Sequence, residues 1–351
     1  MNITLVCVIY DSINQAIFEG QVLLPLIKRA EEHTVQKIFI VSFERTLTDS
    51  IKNKARIYQE KYPAIQFYLY KRLAFINTFL LFKQAYQLRY LLKELGPYTI
   101  IARGPFAGII AKRGITKKCN TLIIQARGLT TQEYSYLNKD TKGIRSLAYH
   151  ARLHQLHLVE KEAYEQLKSK TIHFYIEVIS PALQEYLTLT YQTPASFFIK
   201  ARFDLPETIH PEQKTVYRAE VRKKLSIQKE ATVYVYNGSL KPWQLPQETI
   251  HYFKEIYKND NNAVFLAITP ETDGMQRLLK KEGVPNHAYR IVHLCHKDVV
   301  KTLCAADYGF LLREKHFMNW VSRPTKLLEY QAAKLHIIHN HTIALLSSVE
   351  F

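Results

Sequence analysis

One stretch near the C-terminal end of the sequence holds the residue types best suited to binding a charged ligand. In residues 312–330 an apolar strand pattern gives way to a polar loop, and Pro324 takes a position typical of the first turn of a helix. Peptide N–H groups around Ser322 would then lie at the positive end of that helix. Phosphate groups bind readily at such a helix end.

Three charged side chains in the same stretch would add to this site. Arg313 directly follows the strand, Lys326 lies in the first helical turn, and Glu329 lies one turn further along. The two cations suit phosphate oxygens, and the carboxylate would accept hydrogen bonds from hydroxyl groups. The combination therefore suits a nucleoside diphosphate with a ribose. A solvated loop before a surface helix has the same composition, and both interpretations stay open.

A second candidate segment, residues 236–244, follows another predicted strand. That strand ends in Gly238-Ser239, and Lys241 comes three residues after the glycine. Glycine permits close approach of the backbone to a ligand, and lysine neutralises phosphate. Because the segment falls at the same end of the same predicted sheet as residues 312–330, we expect the two to contribute to one site.

The elements that must position these residues alternate between strand and helix patterns, first up to residue 191 and again over residues 232–339. A polar stretch, residues 204–230, separates the two series and is interpreted as a linker that ends in a short basic helix. We therefore expect an α/β fold of two Rossmann-like, doubly wound domains, residues 1–203 and 204–351, facing each other across a cleft. Ligands would bind at the carboxyl ends of the strands.

The charge of the chain indicates anionic partners. The 351 residues include 48 Lys and Arg against 31 Asp and Glu, a net charge of +17, and residues 1–200 hold 27 basic and 15 acidic side chains. Nucleic acid, an anionic membrane or phosphorylated substrates would all fit. The basic residues are dispersed and show no nucleic-acid-binding module, which disfavours nucleic acid. A helix predicted at residues 77–95 mixes apolar and basic side chains, so core packing is its default role and peripheral membrane docking the alternative.

Other classes of protein are disfavoured by the composition. No apolar run approaches the twenty residues of a membrane-spanning helix, and the start of the chain does not resemble a signal peptide. The four cysteines are far apart, which favours neither zinc nor a disulfide framework and suits a reducing cytoplasm. His150, His154 and His157 share one helical face but lack an accompanying carboxylate motif, so no metal site is predicted.

The motif that runs from Arg313 through Asn319 to Glu329 resembles the donor half of family-4-type retaining glycosyltransferases, which have the GT-B fold. Gly238-Ser239-Leu240-Lys241 is similar to the first turn of that domain. On the acceptor side, Arg103 and Arg127-Gly128 resemble loops of bacterial members, and Gly20-Gln21-Val22 resembles their first loop and helix. The likeness extends over residues 3–340.

The resemblance implies an enzyme that moves a sugar from a UDP- or GDP-linked donor to a hydroxyl group of a glycan or lipid-linked acceptor, with retention at the anomeric carbon. Glu329 would hold the donor ribose, and Lys241 and Arg313 would neutralise the diphosphate without a metal or cofactor, which fits the lack of an Asp-x-Asp motif. No catalytic base is assigned. The implied site comprises Gly238, Ser239, Lys241, Arg313, Asn319, Ser322, Pro324, Lys326 and Glu329 on the donor side, and Gln21, Arg103 and Arg127 on the acceptor side. The implied setting is surface polysaccharide or glycolipid synthesis in the cytoplasm, at the inner face of the membrane.

The sequence also departs from the family pattern. Val321 stands where many relatives have a second glutamate, Gln125 stands where bacterial relatives often have aspartate, and Lys334 stands where a Gly-x-Pro turn is usual. The chain ends at Phe351, so we expect a shortened donor domain. These departures keep open a second hypothesis, that of a catalytically inactive glycosyltransferase-like scaffold or a basic binding protein.

Overall fold

A computed structural model describes residues 4–15, 18–32, 35–74, 77–143, 145–169, 171–201 and 208–347. The chain divides into two compact units, Met1–Phe203 and Asp204–Phe351. Ile3, residues 204–207 of the predicted linker, and Phe351 lie outside the described residues. Every described helix is too short or too polar to pass through a bilayer.

The first unit is built on a seven-stranded, wholly parallel sheet with the order β3-β2-β1-β4-β5-β6-β7. Its strands are β1 Thr4–Ile9, β2 Lys37–Glu44, β3 Ile65–Lys71, β4 Tyr98–Arg103, β5 Cys119–Ala126, β6 His173–Val178 and β7 Phe198–Lys200. Adjacent parallel strands require crossover connections, so helices cover the faces of the sheet and its central strands are mainly apolar, with polar residues such as Arg103 and Gln125 at their carboxyl ends.

Within the described residues, these crossovers contain the helices α1 Leu24–Glu32, α2 Asp49–Lys61, α3 Leu81–Lys93, α4 Gly104–Gly114, α5 Thr130–Leu137, α6 Arg145–Tyr164 and α7 Pro181–Tyr191. A π-helical turn, Glu19–Leu23, leads into α1, and a 3-10 turn, Thr78–Leu80, leads into α3. Side-chain caps start two of the helices, since Thr48 accepts from the Ile51 amide before α2 and Ser180 accepts from the Leu183 amide before α7.

The second unit has a five-stranded parallel sheet with the order β10-β9-β8-β11-β12. Its strands are β8 Val233–Asn237, β9 Val264–Ile268, β10 Tyr289–Val292, β11 Tyr308–Leu311 and β12 His336–His339. Its helices are α8 Pro211–Lys224, α9 Pro246–Asn259, α10 Thr272–Lys281, α11 His296–Leu303, α12 Phe317–Trp320, α13 Thr325–Ala332 and α14 Ala344–Ser347.

The strand order of the second unit creates a natural binding position. From β8 the chain winds outward through β9 to β10, then returns to the other side of β8 and continues through β11 to β12. The connections leaving β8 and β11 therefore diverge at their carboxyl ends, which is the switch point where open parallel sheets bind ligands. The candidate donor residues follow these two strands.

The predicted α/β fold with two parallel-sheet domains is confirmed, and three local predictions are corrected. The stretch interpreted as a linker contains the fourteen-residue helix α8, whose Arg222 is buried in the second unit. Strand β7 and helix α5 were not predicted. A three-residue strand is too short to show a period, and the apolar pattern of the eight-residue helix is weak.

Candidate functional site

The carboxyl end of β8 is hydrogen-bonded directly to helix α13. Asn237, the last residue of β8, donates from Nδ2 to Glu329 Oε2 at 2.6 Å. Its backbone N–H donates to the Tyr330 hydroxyl at 3.2 Å, and that hydroxyl donates to the Phe310 carbonyl of β11 at 3.2 Å. Glu329 and Tyr330, adjacent on α13, thus contact β8, and Tyr330 also contacts β11. These contacts fix the Glu329 carboxylate at the switch point between the two strands.

The loop after β8 meets the first turn of α13 through a chain of hydrogen bonds. Lys326 Nζ donates to Gln244 Oε1 at 3.0 Å, and Gln244 Nε2 donates to Ser239 Oγ at 2.8 Å. Gly238 lies beneath these contacts with φ of +148°, and a Cβ at this position would lie 2.6 Å from Gln244 Oε1. Only glycine fits there without displacing Gln244.

Arg313 brings a second cation to the same place. Its backbone is fixed because its N–H donates to Asn340 Oδ1 at 3.2 Å and its carbonyl accepts from Asn340 Nδ2 at 2.7 Å. Its side-chain Nε is buried, with no hydrogen-bond partner among the described residues. Burial lowers the pKa of Arg313 to about 10, against the opposing influence of Tyr236 and Tyr330. A buried guanidinium N–H without an acceptor suits an anionic ligand.

The charges around Glu329 are not balanced in the free protein. Burial lowers the pKa of Lys326 well below its usual value, and nearby Arg313 lowers it further while Glu329 opposes the shift. Burial raises the pKa of Glu329, opposed by His296, the hydrogen bond from Asn237 and Lys326. His296 Nε2 lies 3.7 Å from Glu329 Oε1. Lys326 is influenced by the Arg313 cation as well as by the Glu329 carboxylate, so an incoming anion would favour its charged form here.

The loop before α13 differs from the sequence expectation. The Ser322 amide and hydroxyl both donate to the Asn319 carbonyl, at 3.1 Å and 2.8 Å, so this amide is not exposed to a ligand. The buried Asn319 side chain donates to the Glu314 carbonyl at 2.8 Å and so shapes the loop. Pro324 is the residue before the helix rather than its first residue. The helix-end amides left for a ligand are those of the first turn, at Thr325 and Lys326.

Lys241 is placed differently from the other candidate cations. Its Nζ lies 4.9 Å from the ring centroid of Trp243, whose carbonyl accepts from the Glu314 amide at 3.1 Å. The contacts described for Lys241 do not join it to Glu329. The structure thus brings the Gly238 loop, Arg313, Lys326 and Glu329 together, with Lys241 on the loop beside them. Sequence reasoning gave no role to three residues of this cluster, Asn237, Gln244 and Tyr330, although the first two lie within the segment 236–244.

The acceptor-side candidates lie together at the carboxyl edge of the first sheet. Arg103 ends β4 and donates from Nη2 to Gln21 Oε1 at 2.8 Å. Arg127, just after β5, donates from Nη2 to Glu177 Oε1 at 3.2 Å. The strand register aligns Arg103, Gln125 and Glu177 on β4, β5 and β6, so their side chains share one face of the sheet.

Glu177 is the centre of this second cluster, and the sequence analysis missed it. It is buried and also accepts from Arg29 Nη2 at 3.0 Å and from Gln125 Nε2 at 2.8 Å. Burial lowers the pKa of Arg127 to about 10; Glu177 opposes this, whereas Arg103 and Arg29 add to it by repulsion. Three guanidinium groups around one carboxylate leave an excess of positive charge. The signal in the sequence was a single acidic residue within the apolar strand 173–178.

Two parallel-sheet α/β units in one chain match the architecture of the GT-B fold, and comparison with solved structures agrees with this class. No protein-family model and no curated protein matches the sequence. Solved structures do match. A glycosyltransferase from Rickettsia africae has 12% identity over 100% of this chain and 82% of its own, with a TM-score of 0.64.

Two further solved structures show the same likeness. WaaG, a glycosyltransferase involved in lipopolysaccharide biosynthesis, has 13% identity over 97% of this chain and 81% of its own, with a TM-score of 0.60. Sucrose-phosphate synthase from Thermosynechococcus elongatus has 11% identity over 99% of this chain and 84% of its own, with a TM-score of 0.65. At such identities the likeness establishes the fold, and the expected GT-B architecture is confirmed.

Proposed function

We propose that this protein is a glycosyltransferase that moves a sugar from a UDP- or GDP-linked donor to an acceptor hydroxyl group. The observation that carries the proposal is the Glu329 carboxylate, fixed by Asn237 beside Arg313 and Lys326 at the switch point of the second sheet. The fold shared with structures described as glycosyltransferases supports it.

The donor would bind through charge and hydroxyl recognition. Arg313 and Lys326 would hold the diphosphate, because a bound anion favours the charged form of both groups, whose pKa values are lowered by burial. Glu329, kept in place by Asn237, would accept hydrogen bonds from the ribose hydroxyls. Gly238 would allow the loop after β8 to approach the nucleotide closely.

In the proposed reaction the bond between the anomeric carbon and the diphosphate oxygen breaks, and a bond to the acceptor oxygen forms. The proton of the acceptor hydroxyl ends in solution or on the departing nucleoside diphosphate. Arg313 and Lys326 would stabilise the charge that develops on the leaving group, so the mechanism is proposed to need no metal or cofactor. Retention at the anomeric carbon is proposed from the resemblance of residues 313–329, and no side chain is assigned as base.

The acceptor is proposed to be a glycan or lipid-linked precursor, as in surface polysaccharide or glycolipid synthesis at the cytoplasmic face of a membrane. Arg103 with Gln21, and Arg127 with Glu177, would contact it at the carboxyl edge of the first sheet. The excess of positive charge there favours an acceptor that carries an anionic group.

Calorimetric titration with UDP, GDP and their sugars tests the donor site. We expect selective binding by the wild type and a loss of about 1–3 kcal/mol in Glu329→Ala, the scale of hydrogen bonds to a charged group. Glu248→Ala, an exposed glutamate on α9 of the same unit, serves as the matched control. Absence of binding to every nucleotide by the folded protein would overturn the proposal. Nucleotide binding without transfer or release of sugar, with membrane lipid extract present, would favour the inactive scaffold.

A further inference from the structure

Helix α3 has two apolar faces, of which the fold uses one. Its inner face packs into the first unit through Leu81, Ala85, Leu88, Leu91 and Leu92. Four aromatic rings lie on the outer side, Phe79 in the preceding turn and Phe82, Tyr86 and Tyr90 in the helix, and they are between 50% and 71% exposed. Such a concentration of exposed rings on one short segment calls for a partner.

The rings form a stripe along the helix axis. Phe82, Tyr86 and Tyr90 follow one another at a spacing of four residues, so each lies one turn above the last, over a length of about 12 Å. Arg89 and Lys93 fall within the same stripe and Lys83 at its border, all of them exposed. No acidic residue occurs in the helix, Leu81–Lys93.

The sequence segment that contains the stripe is strongly basic. Residues 61–118 contain eleven Lys and Arg and one acidic residue, Glu94, a net charge of 11 − 1 = +10. Lys118 Nζ donates to the carbonyls of Lys93 and Leu95, both at 2.8 Å, and so adds charge at the C-terminal end of α3. More than half of the net charge of the chain therefore lies in the segment that contains the exposed rings.

We propose that this α3 surface, consisting of Phe79, Phe82, Lys83, Tyr86, Arg89, Tyr90 and Lys93, docks on an anionic lipid bilayer. The helix would lie parallel to the membrane surface. Its rings would insert at the boundary between headgroups and acyl chains, and its cations would contact the headgroups. The α3 surface would recognise acidic lipid headgroups together with the hydrocarbon beneath them. A partner with only one of these features would leave either the exposed rings or the exposed cations of the stripe without a counterpart.

Two other occupants fit the surface less well. A second copy of the chain would bring two segments of net charge +10 together, and like charges oppose such contact. Single-stranded nucleic acid binds where a basic groove follows its backbone, whereas the outer face of a lone helix is convex. The bilayer docking extends the proposed function by locating where a lipid-linked acceptor is met, and it depends on that function only for the identity of the acceptor.

Flotation of the full chain with lipid vesicles tests the docking. The probe is a vesicle of phosphatidylcholine with about 30% phosphatidylglycerol, compared with pure phosphatidylcholine. One variant removes the rings (Phe79→Ala, Phe82→Ala, Tyr86→Ala, Tyr90→Ala) and another removes the charges (Lys83→Gln, Arg89→Gln, Lys93→Gln). The control variant, Leu147→Ala with Leu189→Ala, truncates two leucines of α6 and α7 in the same unit that are each 75% exposed. Circular dichroism melting checks that all variants fold, and nucleotide titration of each keeps the donor site under separate observation.

We expect the wild type and the leucine control to bind the anionic vesicles and to bind the neutral ones at least tenfold more weakly. Each cation near an anionic surface contributes about fivefold, so the charge variant should lose on the order of 100-fold, and 1 M salt should have a similar effect. The ring variant should lose about tenfold or more while retaining its salt dependence. Equal binding by the ring variant and the control would overturn the proposal. So would tighter binding to an oligonucleotide than to vesicles, or a dimer in lipid-free solution that the ring variant abolishes.

Discussion

The side-chain amide of Asn237 donates to the carboxylate of Glu329 at 2.6 Å, across the junction between the last residue of β8 and the middle of α13. The contact joins a neutral donor to a buried acid whose pKa is raised by that burial. A neutral donor supports the ionised form of Glu329 without cancelling its charge. The second oxygen, Oε1, takes no part in this hydrogen bond and lies 3.7 Å from His296 Nε2.

Replacing this donor by a second acid should make the stability of the protein depend on pH. In Asn237→Asp two carboxyl groups would share one site, which raises the folded-state pKa of one of them above its unfolded value. Stability is then lost as pH rises through that raised pKa, so the variant should lose about 1–3 kcal/mol more at pH 8 than at pH 5. Urea unfolding at both pH values measures this. Asn120→Asp, at an exposed position of β5, is the control, and an equal loss at the two pH values would contradict the prediction.

Nucleotide binding should take up a proton through Lys326. Burial and Arg313 lower the pKa of this amine in the free protein, whereas a bound diphosphate favours the ammonium form. Above the lowered pKa, binding therefore draws a proton from solution, and the affinity falls as pH rises. Calorimetry from pH 7.5 to 9.5 in two buffers of different ionisation enthalpy measures the uptake. Lys326→Met should bind weakly without this uptake, and Lys280→Met, on the exposed side of α10, should behave like the wild type.

The close contact between Gly309 and Tyr330 should make the strand intolerant of a side chain. A Cβ on Gly309 would lie 2.7 Å and 2.8 Å from two carbon atoms of the Tyr330 ring, which is itself fully buried. Gly309→Ala should lower the free energy of unfolding by about 1–3 kcal/mol. It should also weaken nucleotide binding, because Tyr330 must move and it holds Asn237. Thermal melting measures the loss of stability. The control is Gly96→Ala, because a Cβ added at Gly96 meets nothing within 4 Å. Equal melting temperatures for the two variants would contradict the prediction.

Helix α8 should be essential to the stability of the second unit through Arg222. The buried guanidinium donates to the carbonyls of Ala305, Gln228, Lys229 and Ala231 and to Asp307 Oδ2. Arg222→Met would leave these acceptors buried without their donor and should cost about 3–5 kcal/mol. Arg277→Met, on an exposed face of α10, should change the free energy of unfolding little. Chemical unfolding of both variants measures the difference, and equal stabilities would contradict the prediction.

The sequence allowed the two alternating series of strands and helices to be predicted because buried parallel strands are short apolar runs with polar ends. It placed Arg313, Lys326 and Glu329 in one segment, since Arg313 follows β11 and the other two lie in the next long helix, α13. It did not predict that Glu329 is held by Asn237, because that contact joins residues 92 positions apart. Nor did it reveal that Lys326 is buried, since amphipathic spacing predicts a solvent-exposed lysine as readily as an enclosed one.

Helix α8 shows a different limit of sequence reasoning. Half of its fourteen residues are charged and the first is a proline, so the stretch was interpreted as a linker with only a short basic helix at its end. The helix is nonetheless part of the fold, because a single arginine satisfies backbone carbonyls that no apolar residue would satisfy. Glu177 was missed for a similar reason, since its partners come from two distant segments, Arg29 from α1 and Gln125 with Arg127 from the end of β5.

The strand order of the two sheets also governs how the chain assembles during synthesis. In each unit the first strand to leave the ribosome, β1 or β8, becomes an interior strand, and every later strand adds at an edge that already exists. No strand has to insert between two partners that have already paired. The last strands to emerge, β7 and β12, are edge strands. A chain that is still being synthesised therefore lacks only an edge strand of the sheet and already has the central strands. Both halves of the protein can therefore grow cotranslationally around a nucleus made from their own earliest residues.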